Sequence, residues 1–334
     1  MSFIKKVYRY FRLLYLKLVS SNRLSLKLYY LFDSSFDREF EFTMMGRIKA
    51  LSQNYEGADT SAHFRRCIHR LEKGIYHPER KEIFGFGIID ELTDELEGMK
   101  SKTPIDSSEL NWGMSVIDLY LSYVDNDKAR YCRKLISSIE SVDYGRELVT
   151  HENIDSPRFL GLRDVCLSRE SVRFFEKKDV PHSLLDAAVE IAREAPSACN
   201  RQPFQLYPLT SKAKIMEIGR LAPGTSGFLE NIPMLIPVVG CLESFRHFRD
   251  RHLIYTDSGL FMGHLVLALE SLGLSSCILN WTPDWDNDRK AISKLELTKD
   301  KTIICLIAVG FKGSEVSPKS DKKSVRNILR YETL

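Results

Sequence analysis

Residues 168–175 read S-R-E-S-V-R-F-F, and about one helix later residues 195–203 read A-P-S-A-C-N-R-Q-P. The first stretch places Arg169, Ser171 and Arg173 at alternate positions. Side chains two apart point the same way in an extended segment, so these three can converge on one ligand. Guanidinium groups match phosphate oxygens bidentately, and a serine hydroxyl adds a further hydrogen bond. The stretch therefore indicates a phosphate site, although a solvated charged turn uses the same residue types.

The second stretch indicates a loop suited to a planar ring. Pro196 is expected to end the preceding helix, because proline cannot donate to the helical hydrogen-bond ladder. The backbone at Pro196 and Ser197 is then free to face a ligand, and Asn200 and Gln202 supply amides that both donate and accept. A ring with donor and acceptor edges fits such a loop. An ordinary loop at a helix C-terminus uses the same residue types and stays open as the alternative.

The composition indicates a globular chain with room for two domains. It has 334 residues, of which 43% are hydrophobic and 28% charged. The net charge of +3 gives no reason to expect a nucleic-acid partner. Seven scattered cysteines without a C-x-x-C pair favour a reducing, cytoplasmic setting. The eight histidines form no H-E-x-x-H motif, so we expect no metal site.

The first thirty residues are strongly basic. No acidic residue precedes Asp33, and residues 4–19 form a predicted helix with an apolar face and most of its basic side chains opposite. Such a helix can lie on an anionic membrane surface, which would make residues 1–30 a peripheral membrane contact. Packing on the body of the protein or on a partner is the other, commoner explanation. Charges interrupt the apolar residues and no small-residue cleavage site follows, so we do not expect a secretory signal.

The two halves of the chain differ in pattern. Residues 1–150 are predicted to be mainly helical, with helices at 36–52 and 60–73, the second stopping at Gly74 as a C-terminal cap. After a polar stretch, helices and strands mix without strict βαβ alternation, which favours an α+β fold. The helix predicted at 256–272 is apolar almost all round, as expected for a helix buried in a core or an interface.

Five motifs in this order resemble the nitroreductase family of FMN-dependent oxidoreductases. They are R-x-S-x-R at 169–173, A-P-S-x-x-N-x-Q-P at 195–203, the helix 257–274, the strand and loop 277–283, and the strand ending at 309–311. The resemblance covers about residues 160–330. It implies a nitroreductase-like FMN-binding domain at 160–334, with a mixed, mostly antiparallel sheet flanked by helices. The helical region 1–150 would then be an N-terminal extension.

The resemblance also implies which residues hold FMN. They fall into four groups: phosphate and ribityl contacts, backbone contacts along the ring, contacts near its polar edge, and a loop lying over it. In that order they are Arg169, Ser171 and Arg173; Pro196 and Ser197; Asn200 and Gln202; and Asn280, Trp281 and Thr282. Lys322 occupies the place where the family usually has an arginine that reaches the phosphate, although a solvated basic tail is the alternative.

Several further expectations follow from the resemblance. Glu170 should point away from the phosphate, and the bulk of Trp281 should narrow the substrate space over the ring. The helix 256–272 corresponds to the dimer-core helix of the family, which implies a homodimer with sites at its interface. H-R-L-E-K-G at 69–74 and F-G-F-G at 84–87 resemble the extension on nitroreductase-like proteins of bacterial polysaccharide-biosynthesis clusters. For the first of these, a charged helix end with a glycine cap is the alternative.

The predicted function is an FMN-dependent oxidoreductase whose flavin is reduced by NAD(P)H. A small molecule, namely a nitroaromatic, a quinone or a sugar-linked intermediate, would reoxidise it, and a desaturating dehydrogenase that passes electrons to oxygen also stays open. No side chain need act as a catalytic base or nucleophile, because flavin N5 carries the chemistry. The alternative is a non-catalytic module that binds flavin weakly or not at all. Its basic N-terminal helix would dock on a biosynthetic complex at the inner face of the membrane.

Overall fold

The computed structural model describes residues 3–32, 36, 40, 62–77, 79–99, 105–142, 156–244, 248–282, 284–298, 300–314 and 320–329. The chain divides into two compact units, Met1–Tyr55 and Glu56–Leu334. The helix predicted at 36–52 and most of the polar stretch before residue 156 lie outside the described residues. The predicted division into 1–150 and 160–334 therefore stays a prediction.

The first unit contains two described helices, α1 (Phe3–Val19) and α2 (Arg23–Leu31). Asn22 caps α2, since its side-chain oxygen accepts a hydrogen bond from the Ser25 amide at 2.9 Å. The helix predicted at 4–19 is confirmed as α1. Its apolar face leaves four large side chains more than half exposed: Phe11, Leu14, Tyr15 and Leu18. None of the described helices is long and apolar enough to cross a membrane.

The second unit begins with a helical half that has its own core. Its elements are α3 (Ala62–Ile75), α4 (Phe86–Met99), β1 (Ile105–Asp106), α5 (Ser107–Leu121), α6 (Asp127–Ser138) and β2 (Ser141–Val142). One apolar cluster joins all four helices, with fully buried Phe64, Ile68, Leu92 and Ile117 among its members. This half can therefore bury a hydrophobic core without contributions from the sheet that follows.

Gly74 does not stop α3 as the sequence predicts, because the helix continues to Ile75. A Cβ atom at this position would lie 2.9 Å from the ring of Phe84. Glycine is needed here so that the Phe84 ring can approach the helix backbone. The capping prediction was wrong because a close approach between distant residues leaves no local signal.

The other half of the second unit is built around a sheet. Its elements are α7 (Pro157–Ser168), α8 (His182–Ala192), β3 (Phe204–Leu206), α9 (Lys212–Gly219), β4 (Met234–Cys241), α10 (Leu253–Ser271), β5 (Ser275–Asn280), α11 (Trp285–Lys294), β6 (Lys301–Gly310) and α12 (Val325–Ile328). The four strands lie in the order β3-β4-β6-β5, and each neighbouring pair is antiparallel. Ser171 adds a parallel bridge to Ser276 in β5, so the sheet is mixed and mostly antiparallel.

Helices cover both faces of this sheet. Ile307 and Val309 of β6 point into a core shared with α8 and α10, whereas Leu306 and Ala308 point into a second core shared with α9 and α11. All eight residues of β4 are buried, as expected of a strand that is covered on both faces. The predicted α+β class with a helix-flanked sheet is confirmed.

Candidate functional site

The phosphate motif lies beside the first residues of β5. Helix α7 ends at Ser168, and the chain then runs extended along the sheet edge, where the Val172 amide donates to the Ser276 carbonyl at 3.1 Å. Val172 is buried in the core, so its neighbours at alternate positions, Arg169, Ser171 and Arg173, occupy the other side of the segment. This is the arrangement that the alternating pattern predicts.

The three motif residues all influence the pKa of one buried thiol, that of Cys277 in β5. Burial raises the pKa of its thiol, while the positive charges of Arg173 and Arg169 and a hydrogen bond with Ser171 partly offset that rise. One buried sulfur therefore interacts with all three side chains. Cys277 was not among the predicted site residues, because a cysteine within an apolar strand reads as a core residue.

Glu170 takes the opposite direction from the motif residues. Its carboxylate forms an ion pair with Lys312, just after β6. The structure thus agrees with the expectation that this negative charge turns away from the clamp, a name used here for Arg169, Ser171 and Arg173. The clamp arginines themselves form no ion pair with a carboxylate in the part of the chain that the structure describes.

The loop 196–202 has an unusual backbone. Cys199, Asn200 and Gln202 have φ angles of 54°, 53° and 48°, in the left-handed region that non-glycine residues seldom adopt. Each such residue costs about 1–3 kcal/mol, and such strain clusters at ligand sites. The Gln202 amide donates to Ser197 Oγ at 3.2 Å, and Gln202 Nε2 donates to Asn200 Oδ1 at 3.1 Å. The predicted ring-binding residues thus hold one another in this conformation.

The helix before this loop ends earlier than predicted. Helix α8 stops at Ala192 and is capped at Arg193, so Pro196 already lies within the loop. Asp257 fixes the loop from the other side, since its carboxylate accepts a hydrogen bond from the Ala198 amide at 3.1 Å. Asp257 is buried in the apolar helix α10. An acidic residue inside an apolar run is the sequence signal that identifies it as a positioning residue.

The segment Asn280–Thr282 follows the end of β5. Asn280 and Thr282 are exposed, and Asn280 Nδ2 lies 3.4 Å from Thr282 Oγ1. Trp281, by contrast, is buried in the core, where its indole N–H donates to Asp288 Oδ1 at 2.6 Å. The expectation that the indole narrows the space over a ring is therefore wrong. Only the backbone of Trp281 is left to face a ligand here.

The tail that carries Lys322 is anchored on the helical half. Ser320 Oγ donates to Glu72 Oε2 at 2.6 Å and lies 3.0 Å from His69 Nδ1. Burial disfavours the charged form of Glu72, but hydrogen bonds from His69, Ser320 and Trp112 outweigh it and lower the pKa of this carboxyl. Lys322 follows two residues later and is exposed. Helix α3 thus fixes where this part of the tail begins.

A single chain does not bring the clamp and the loop 196–202 together. The loop contacts Asp257 near the start of α10, whereas the clamp lies beside Ser276, just beyond the end of α10 at Ser271. The distance along the helix between Asp257 and Ser271 is about 20 Å at 1.5 Å per residue. The two motifs are also at opposite edges of the sheet, next to β3 and β5.

A cavity of about 1160 Å³ lies between the end of α3 and the segment 216–231. His77, Phe174 and Asn231 are among its lining residues. Neither the clamp side chains nor the loop 196–202 line this cavity, so it is separate from the predicted flavin site.

Comparisons with known proteins concern the sheet-containing half. A family model described as the nitroreductase family matches residues 166–225 and 220–311. An NADH dehydrogenase of Thermus thermophilus is 25% identical over 191 residues, which are 48% of this chain and 90% of that protein. An oxygen-insensitive NADPH nitroreductase of Helicobacter pylori is 23% identical over 198 residues, covering 49% of this chain and 93% of that protein. The solved structure of an FMN-dependent nitroreductase from Clostridium difficile is 19% identical, with a TM-score of 0.45, and covers 51% of this chain and 98% of that one.

Proposed function

We propose that the chain is an FMN-dependent oxidoreductase whose flavin is reduced by NAD(P)H, because a model of the nitroreductase family matches residues 166–311. The observation that carries this proposal is the placement of Arg169, Ser171 and Arg173 on one side of the extended segment beside β5, where Arg173 Nη1 donates to the Ser171 carbonyl at 3.3 Å. Two guanidinium groups close together repel each other unless an anion lies between them. We further propose that the FMN-binding domain spans 160–334 and that 1–150 is its extension.

The donor set fits FMN. The clamp offers charged donors to a phosphate, and the strained loop at Pro196, Ser197, Asn200 and Gln202 offers amides and backbone groups to a ring. Asn280 and Thr282 and the backbone of Trp281 would line the remaining edge, with Lys322 as a further cation. When bound, FMN supplies the redox chemistry, while these residues bind and orient it. The acceptor would be a small molecule, and nitroaromatics, quinones, sugar-linked intermediates and oxygen are the compounds to assay.

We also propose that the chain acts as a homodimer, because the outer face of α10 is built for close contact. Gly259 and Gly263 lie one turn apart on this face, and no atom lies within 4 Å of a Cβ added at either. Tyr255 and Leu260 beside them are 45% and 42% exposed. A second copy on this face would cover both side chains. It would also place the loop 196–202 of one chain near the clamp of the other, which a single chain does not achieve.

The oxidoreductase proposal is tested by reconstitution. The purified protein is expected to take up about one FMN per chain and to show the flavin absorption bands. Adding NADH or NADPH without oxygen should bleach those bands, and an acceptor should restore them. A colourless protein that takes up no added FMN would refute the proposal. If the protein takes up FMN but neither NADH nor NADPH bleaches it, the proposed cofactor would stand and the proposed electron donor would be refuted.

Helix α1 favours a second candidate function, in which the chain docks on a membrane-associated complex. The apolar face of α1 is open within its unit, and its other side chains include Lys5, Lys6, Arg9 and Arg12. A helix with these two faces binds anionic lipid surfaces through both. This candidate needs no redox chemistry, so it is distinguished from the first by flavin uptake.

Liposome flotation tests the membrane contact. We expect the full chain to float with vesicles that contain phosphatidylserine and to stay at the bottom with neutral vesicles, since anionic lipid attracts the basic face of α1. Deleting residues 1–30, or replacing Phe11 and Leu14 by aspartate, should abolish flotation. Leu162→Asp on α7, an exposed leucine outside residues 1–30, serves as a matched control. Equal behaviour of the full and shortened chains would instead favour packing of α1 on the protein or a partner.

A further inference from the structure

We propose that Lys73, on helix α3 of the helical half, is a further phosphate-binding residue of the clamp. This proposal rests on the proposed function, because the phosphate is that of FMN. Lys73 lies outside residues 166–311, so the helical half would complete a site that the family domain builds only in part. The proposal would also give a role to the H-R-L-E-K-G motif, residues 69–74 at the C-terminal end of α3.

The position of α3 places Lys73 toward the clamp. His69, one turn before Lys73, lies 3.0 Å from Ser320 Oγ in the tail that carries Lys322. His77, two residues beyond the end of α3 at Ile75, contacts Phe174 edge-to-face at 5.8 Å between ring centroids. His69 and Lys73 are four residues apart and share one face of α3, so Lys73 lies between two residues that contact the sheet-containing half. One of these contacts is to the residue that directly follows Arg173.

Lys73 also differs from the arginines of α3 in its ion pairing. Arg65 forms an ion pair with Glu109 at 3.2 Å, and Arg66 and Arg70 both pair with Glu91. Lys73 has no such partner among the residues that the structure describes. It is half-buried, and burial together with the positive charge of Arg173 lowers the pKa of its ammonium group. A half-buried cation set beside another cation is costly unless an anion binds to both.

The charges of Lys73 and of the clamp arginines influence the same group, the thiol of Cys277. The positive charges of Arg173, Lys73 and Arg169 all act on its buried thiol, and Ser171 forms a hydrogen bond with it. The lysine from α3 and the three clamp residues are therefore close enough to Cys277 for each of them to lower the pKa of its thiol. A phosphate group beside the first residues of β5 would be in reach of all four side chains, as charge-assisted donors or as a hydroxyl donor.

The other residues of the motif serve the same arrangement. Leu71 lies in the core of the helical half, and Glu72 holds the tail through Ser320. Gly74 leaves room for the Phe84 ring. Lys73 is the member of 69–74 with no structural partner of its own, which is what a ligand-binding position in a packed helix requires.

The test compares FMN with riboflavin, which has the same ring and no phosphate. Lys73→Met should weaken FMN binding roughly tenfold, the effect of one charge-assisted hydrogen bond, and leave riboflavin binding unchanged. Lys73→Arg should keep most of the preference for FMN. Lys134→Met, an exposed lysine on α6, is the matched control and should change neither affinity. Titration of the protein with each flavin, followed by quenching of flavin fluorescence, gives both constants.

The ratio of the two affinities separates phosphate binding from a folding defect, because partial unfolding weakens both flavins alike. The apo Lys73→Met protein should also unfold at an unchanged or higher temperature, since the substitution removes a half-buried charge beside Arg173. An unchanged ratio in Lys73→Met, or equal loss of both flavins, would overturn the proposal. A wild-type protein that binds no FMN would instead refute the proposed function.

Discussion

Replacing Arg169 and Arg173 together by alanine is expected to abolish retention of FMN. Each charge-assisted hydrogen bond contributes about 1.5–3 kcal/mol. Losing one from each arginine therefore removes about 3–6 kcal/mol, a factor of roughly 10² to 10⁴ in the dissociation constant. A protein that copurifies with flavin would then elute colourless. The measurement is the flavin absorbance per chain after gel filtration, followed by titration with added FMN.

The structure offers a matched control on the preceding helix. Arg158 and Arg163 on α7 are exposed, so Arg158→Ala with Arg163→Ala removes the same charge close by without touching the clamp. This control should retain FMN. Riboflavin binding should be affected much less than FMN binding in the clamp variant, because the arginines act on the phosphate. Unchanged flavin content in the clamp variant would contradict the phosphate assignment.

The fold was predictable because buried strands leave a clear signal. β4 and the second half of β6 are continuous apolar runs, and all of these residues are buried between two helical layers. Helix ends were less predictable. Gly74 is of the residue type that commonly caps a helix, yet glycine is needed there because the Phe84 ring packs against the helix backbone. Helix α8 ends at Ala192, before Pro196, because the strained loop begins earlier than the proline indicates.

The arrangement of the clamp was predictable because its residues are close in sequence. Arg169, Ser171 and Arg173 form a local pattern, and an extended backbone suffices to bring them together. The effect of Arg173 on Lys73 could not be predicted in this way, because it depends on how α3 lies against the sheet-containing half. The direction of the Trp281 side chain could not be predicted either, since only the fold brings Asp288 of α11 within hydrogen-bonding distance of its indole N–H.

The positions of the clamp and of the loop 196–202 at opposite ends of α10 lead to a second large effect. If the site forms between two chains, two variants that each fail to bind FMN should bind it again when they are combined in one dimer. One chain carries Arg169→Ala and Arg173→Ala, and the other carries Ser197→Trp, whose indole would fill the ring space and remove the Ser197 acceptor for the Gln202 amide. Each variant alone is expected to bind no FMN.

A heterodimer of these variants, purified through a different tag on each chain, should bind about one FMN per dimer. In a two-fold dimer one site combines both defects, while the other combines an intact clamp with an intact loop. The readout is the flavin absorbance of the doubly purified protein. Adding Leu260→Arg to both chains is the control, because a charge on the exposed face of α10 should prevent association and with it the restored binding.

The outcomes separate three arrangements of the site. One FMN per heterodimer means that the loop of one chain serves the clamp of its partner. Heterodimers without FMN would mean that each chain builds its own site, and that the distance along α10 is spanned by the cofactor or by a movement of the loop. Failure of the two chains to copurify would refute the dimer itself. In that case the open face of α10, with Gly259 and Gly263 at its centre, would be available to another partner.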